Sequence, residues 1–369
     1  MLKQSPFEAE HEAAGATFTD FNGWNMPLKY GKELDEHRAV RAAAGVFDVS
    51  HMGKIWITGP DAVTGLNLAL AGNFEPMTIG RARYTLALTG EGTILDDLIV
   101  YRFAEDRFLA IPNAGNAHVV LGALRERLAG LDVTIVDETA DHGLLALQGP
   151  KALDVLHALD DPTLGQHGAE LKNYTAVELT IDGADIILAR TGYTGEIGFE
   201  IIVPTERASE LWNDLMAAGE PHGMLPCGLA ARDSLRLEAG MPLYGNELST
   251  EVTPFEAGLG GVVSFKKSED FVGRRALEPI KDHTPDRVLV GLVSEQRRAG
   301  RAGAQLIIGD QHVGDITSGI PSPTLGSPIA MGYIQSDHCA PGTEVSVDVR
   351  GKALPYTVVD LPFYSRPKN

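Results

Sequence analysis

The chain has 369 residues, 44% apolar and 22% charged, with 50 acids against 31 bases and a formal net charge of −19. That length exceeds one small core and implies two or more domains, while the excess of acids argues against a nucleic-acid or anionic-membrane surface, and no apolar run is long enough to span a bilayer. Two cysteines, Cys227 and Cys339, are too few and too far apart for a disulfide framework or a thiolate metal site, and the opening Met-Leu-Lys-Gln-Ser-Pro-Phe-Glu-Ala-Glu has neither a secretion-signal core nor transit-peptide arginines, which points to a cytoplasmic protein.

In chain order, helical periodicity first marks Gly31–Gly45, where Leu34, His37, Val40 and Ala43 recur at three- and four-residue steps. Two strand-to-helix joints then echo each other. Lys54 to Ala62 reads Lys-Ile-Trp-Ile-Thr-Gly-Pro-Asp-Ala, and Leu144 to Ala152 reads Leu-Leu-Ala-Leu-Gln-Gly-Pro-Lys-Ala, each with a glycine before a helix-opening proline. This weak repeat suggests two related α+β units. Between them lies a hairpin, Arg83 to Leu88, the turn Thr89-Gly90-Glu91-Gly92, and Thr93 to Tyr101. Strand alternation puts Asp96 on a face with Ile94, Leu98 and Val100, and Asp97 on the other with Leu95, Ile99 and Tyr101. Both faces are otherwise apolar, so at least one carboxylate is expected to be desolvated, which is costly unless it is paired or used. A buried salt bridge or a backbone-bonded aspartate is the alternative.

A second hairpin, Ala184 to Ala189 and Phe199 to Val203, carries Thr-Gly-Tyr-Thr-Gly-Glu-Ile-Gly at its loop. Gly192, Gly195 and Gly198 free the backbone for positive φ and for close approach of a ligand, and Glu196 is the single ionisable group at the tip. Such a carboxylate suits a flat, hydrogen-bond-donating ligand, the alternative being a solvated glutamate on a plain turn. A helix follows at Thr205–Ala218, and another over Leu225–Gly240, ending at glycine. Residues 225, 229, 232 and 236 share one face of it. Pairing with Asp233 accounts for Arg236, and Arg232 is left as the planar cation suited to a carboxylate.

Lys281 to Asp286 is polar and turn-rich, and six short strands follow: Val288–Val293, Ala304–Ile308, His312–Thr317, Ile329–Ile334, Thr343–Val349 and Leu354–Leu361. The spacing predicts a small antiparallel barrel or sandwich. The expected organisation is thus residues 1–280 as one α+β region and 285–369 as a β-barrel domain. Asp48-Val49-Ser50-His51 holds the letters of a hydrolase triad, but in an extended segment His51 points away from its neighbours. No phosphate loop, nucleophile elbow or zinc helix is present.

Taken together these motifs resemble the glycine cleavage system T protein family, the tetrahydrofolate-dependent aminomethyltransferases. The likeness runs through Phe47-Asp48-Val49-Ser50-His51-Met52-Gly53, Ile94 to Val100, Asn113-Ala114-Gly115-Asn116, Leu147-Gln148-Gly149-Pro150, Gly192 to Glu196, Ala231 to Gly240, Thr253 to Gly260 and the tail Leu361-Pro362-Phe363-Tyr364. The resemblance implies interleaved α+β subdomains that bind folate, followed by a C-terminal antiparallel barrel, around a central channel. It implies transfer of one carbon from the aminomethyl-lipoyl arm of H protein to tetrahydrofolate as co-substrate, releasing ammonia, with no metal, nucleic acid or membrane involved. By similarity, Asp96 lies near the reactive folate nitrogens as the catalytic carboxylate, Glu196 takes the amide and amino edge of the pterin, and Tyr84 and Tyr174 wall the pocket. Asn113 supplies a hydrogen bond, and Arg232 and Arg366 meet the glutamate end or the lipoyl arm. Ile197 and Gly261 depart from the pattern, where many relatives have an acid and a tryptophan. Two other readings share the fold, a folate-dependent demethylase and a non-enzymatic iron–sulfur assembly factor. The second group carries a Lys-Gly-Cys-Tyr cysteine that Leu243-Tyr244-Gly245-Asn246-Glu247 lacks.

Overall fold

The patterning resolves, in a computed structural model describing residues 2–348 and 352–367, into open sheets and a closed barrel. Val349, the expected end of a barrel strand, lies outside the described residues. The chain divides into two compact units: Met1–Ala69, Asn73–Thr85 and Leu98–Asp233 form the first, and Leu70–Gly72, Leu86–Asp97 and Ser234–Asn369 the second.

The first unit is built on a six-stranded sheet whose order is Ala176–Ile181, Ala184–Ala189, Gly198–Pro204, His142–Gln148, Gly45–Asp48 and Leu225–Pro226. Phe199, Ile201 and Val203 alternate along one strand into a core with Leu145, Leu147, Val155, Leu156, Trp212 and Leu215, which sends Glu200 to the opposite face. The helix Ala208–Gly219 supplies Leu211, Trp212 and Leu215 to that core from one stripe. The periodic stretch from Gly31 becomes a helix over Glu33–Ala42 only, because Gly45–Asp48 pairs as a strand with Leu145 to Gln148. Leu225 likewise pairs with Gly45 and does not begin a helix; the helix runs Leu229–Glu238. Buried Glu36 ties these pieces together, accepting the N–H groups of Tyr30, Gly31 and Gly228.

A five-stranded sheet takes the order Ala82–Leu88, Ile94–Ala104, Arg107–Pro112, Ile55–Thr58 and Thr134–Asp137. The two echoing joints are built alike. Gly59 and Gly149 adopt φ 136° and 131°, and a Cβ on either would lie 2.3 Å from Asp132 O or 2.5 Å from Ala43 O, so only glycine fits before each proline.

In the second unit, six antiparallel strands close a barrel in the order Arg287–Val293, Pro328–Gln335, Gln311–Pro321, Gln305–Ile308, Glu344–Asp348 and Ala353–Val359. Leu292, Leu306, Ile316, Ile334, Val347, Tyr356 and Val358 fill it. Another core gathers Ala71, Leu86, Leu88, Ile94, Leu248, Val252, Phe271, Leu277 and Tyr333. Arg236 reaches beyond its own helix: its guanidinium pairs with buried Glu247 at 2.8 Å and donates to Ser318, a tertiary anchor between helix and barrel strand.

Candidate functional site

The glycine-rich loop of the first unit is held from below by one buried amide. Gln148 Oε1 accepts the Thr194 hydroxyl at 2.9 Å, and its Nε2 donates to Thr191 O at 3.2 Å. A Cβ on Gly192 or Gly198 would sit 2.1 or 2.2 Å from that amide. Those two glycines therefore make room for Gln148, not for a ligand, and among the three only Gly195, at φ 79°, needs the left-handed region.

Glu196 is not the solvated tip that the sequence suggests. Arg41, on the helix Glu33–Ala42, donates from Nη1 to Glu196 Oε1 at 2.9 Å and to Thr194 O at 2.7 Å, and the two side chains are 9% and 4% exposed. Oε2 of Glu196 has no hydrogen-bond partner among the described residues. A buried cation thus aims one carboxylate oxygen and leaves the other for something else.

Behind the loop, the Tyr101 hydroxyl lies 3.0 Å from that of Thr191 and 3.3 Å from Glu200 Oε2, and Thr191 donates to the same oxygen. Burial, then the Glu200 charge, drives the Tyr101 phenol well above its usual range, so it stays protonated. Tyr174 is affected by the same two causes in the same direction. Its φ of 57° is unusual for an aromatic residue and costs about 1–3 kcal/mol. Arg232 lies 4.9 Å over the Tyr193 ring, and its Nη1 is buried without a hydrogen-bond partner. Burial lowers its pKa, opposed by Glu200 and Tyr193. Asn113 is half-buried at the start of the short turn Ala114–Asn116, and Tyr84 is half-buried on its strand. Glu196, Arg232, Tyr174, Tyr84 and Asn113 therefore all belong to the first unit.

Asp96 and Arg366 belong to the second. Along Ile94–Ala104, burial alternates: Ile94, Asp96, Leu98 and Val100 are buried, and Leu95, Asp97 and Ile99 half-buried. Asp96 is 0% exposed. Arg366 is exposed on the tail.

The segment Asp48 to His51 is no triad. Asp48 Oδ1 takes the N–H and hydroxyl of Ser50 at 2.8 and 2.5 Å, while Oδ2 takes the Ser5 hydroxyl and lies 2.9 Å from His11 Nε2. Burial alone would raise the Asp48 carboxyl, but the bond and charge of His11 and the two serine hydroxyls hold it below its usual range. Ser50 Oγ also accepts Leu144 N–H, so it is a structural brace. Among the described residues, no group of three or more His, Cys, Asp or Glu could hold a metal ion, and no helix is long and apolar enough to cross a membrane.

Sequence reasoning missed Arg41, Gln148, Thr191, Tyr101 and Glu200. Arg41 gives no local signal, since its partner lies 155 residues away. Glu200 was legible in principle, as an acid among Phe199, Ile201, Ile202 and Val203.

Two family models match the chain: the GCVT N-terminal domain over residues 7–267 and the glycine cleavage T-protein C-terminal barrel domain over 287–365. Curated aminomethyltransferases are similar along their full lengths. That of Streptomyces coelicolor is 54% identical over 100% of this chain and 99% of its own, and that of Cutibacterium acnes 53% identical over 99% of each. The crystal structure of glycine cleavage system aminomethyltransferase T from Bartonella henselae superimposes with a TM-score of 0.92 at 40% identity, covering 99% of this chain and 98% of that one.

Proposed function

From the premise that this chain belongs to the glycine cleavage T-protein family and is an aminomethyltransferase, we propose that it takes the one-carbon unit from the aminomethyl-lipoyl arm of H protein and passes it to tetrahydrofolate in the cytoplasm. The products are 5,10-methylenetetrahydrofolate and ammonia. The observation that carries the reading is the unused Oε2 of Glu196, fixed through Arg41 on a rigid loop. A carboxylate oxygen so placed accepts the adjacent N–H donors of a pterin edge, and the buried unpartnered Nη1 of Arg232 suits an anionic or carbonyl group. Both orphan valences therefore fit a reduced folate with its glutamate end.

Bound tetrahydrofolate supplies the nucleophilic nitrogen, so the protein's part is positioning and electrostatics. Glu196 orients, and Tyr84, Tyr174 and Asn113 enclose. A carboxylate of the strand Ile94–Ala104 stabilises positive charge developing during transfer. Asp96, the residue the family likeness suggests, takes that role: it is a fully buried carboxylate on an otherwise apolar face of the strand, where its charge is least screened, and Asp97 stands on the half-buried face. Arg366, exposed on the tail, is free to meet the acidic glutamate end or the incoming arm.

The test is tetrahydrofolate-dependent ammonia release from aminomethylated H protein. Turnover in the wild type is expected. Its absence, with demethylation of a methylated amine or sulfonium compound instead, would replace this reading by the demethylase one.

A further inference from the structure

His51 is a buried polar side chain for which the roles above have no use. It is 3% exposed, its Nδ1 is sealed from solvent, and neither ring nitrogen has a hydrogen-bond partner among the described residues. The backbone around it is the opposite, fully tied down. Asp48 fixes Ser50 on one side, and Lys54 Nζ donates to Ser50 O at 2.9 Å and Met52 O at 3.0 Å, so the residues flanking His51 are both pinned. The ring of Phe21 meets the imidazole edge-on, with centroids 5.3 Å apart. A rigid turn therefore presents an imidazole with both nitrogens idle, and a buried polar group left unsatisfied is costly.

Burial pushes the imidazole down to about 3; Asp48 opposes this, and the charges of Arg232 and Lys54 reinforce it. At neutral pH the ring is uncharged, with one N–H to give. The neighbouring cations disfavour an ammonium ligand and favour an electron-rich oxygen. Arg232 Nη1 is a second idle donor in the same unit.

We propose that His51 is a further ligand-binding residue, its imidazole N–H holding an amide or carboxylate oxygen of a substrate beside Arg232. This rests on the reading above, in which that oxygen has two sources: the glutamate end of the folate, or the amide of the lipoyl arm.

The experiment compares wild type, His51→Leu, which removes both nitrogens at similar volume, and His51→Asn, which keeps a donor near the place of Nδ1. Three readouts are taken: the tetrahydrofolate Kd without H protein, the KM for aminomethylated H protein at saturating folate, and Tm. His51→Leu should weaken one of the two ligands by about five- to tenfold, the size of one hydrogen bond, with Tm unchanged or raised, and His51→Asn should restore most of the loss. A weakened Kd assigns the oxygen to folate; a raised KM assigns it to the lipoyl arm. Unchanged Kd and KM in His51→Leu overturn the proposal, as does a lowered Tm with no recovery in His51→Asn. If wild type releases no ammonia from H protein, the proposed function fails, while the folate Kd series still judges His51.

Discussion

Removing Arg41 tests whether the loop and its acid are one mechanical unit. Arg41→Met keeps the stem of the side chain and deletes the guanidinium with its donated bonds, among them those at 2.9 Å to Glu196 and 2.7 Å to Thr194 O. Both partners of the ion pair are at least nine-tenths buried. Breaking such a pair from one side strands a charge and costs about 3–5 kcal/mol. For a domain of this size that lowers Tm by roughly 6–20 °C at about 2–4 °C per kcal/mol. Glu196→Gln keeps the volume but removes the charge, and should cost about 1.5–3 kcal/mol of tetrahydrofolate binding, roughly 10- to 150-fold in Kd. The double variant should fall well short of the summed losses in stability, with a coupling of about 1.5–3 kcal/mol. Calorimetric melts of the four proteins, with folate titrations, give all these numbers. A coupling below about 0.5 kcal/mol, or an Arg41→Met protein melting with the wild type, refutes the argument that Arg41 holds the acid in place.

The other predictions concern the acid pair, the loop and the N-terminal brace. Asp96→Asn should lower kcat by about 10²-fold or more with folate Kd largely retained, while Asp97→Asn should change kcat far less; the reverse pattern in steady-state kinetics moves the catalytic role to Asp97. Gly192→Ala must displace the Gln148 amide that its Cβ would meet at 2.1 Å, costing about 1–3 kcal/mol in a chemical melt, with Gln148→Ala partly restoring it. The His11 and serine contacts of Asp48 hold its carboxyl below the usual carboxylate range in the folded protein, so the unfolded chain binds the proton first. Its stabilisation is fully present above the unfolded pKa and is lost as pH falls through the folded one. Acid titration of stability should therefore be shallower below about pH 4 in Asp48→Asn than in wild type, and parallel curves would remove Asp48 from the account.

Much of the architecture follows from local chemistry, because period, turn residues and helix punctuation are properties of neighbouring positions. The hairpin that carries Glu196, the two glycine–proline joints and the barrel strands are all legible in this way, to within a residue or a few at their ends. The helix boundaries near Gly45 and Leu225 were not, since both segments are claimed by strand pairing with partners distant in sequence. The same division runs through the site. That Glu196 sits alone among glycines is visible in the chain, and so is the oddity of two adjacent aspartates on an apolar strand. What the acid does with its two oxygens depends on Arg41, and which glycine is conformational and which merely makes room depends on Gln148. Burial is what separates Asp96 from Asp97 and leaves His51 idle, and burial is a sum over contacts from the whole unit. Sequence alone thus determined which groups are available; only tertiary packing decided which of their valences are spent on the protein and which remain for a ligand, because desolvation and pairing arise between residues far apart in the chain.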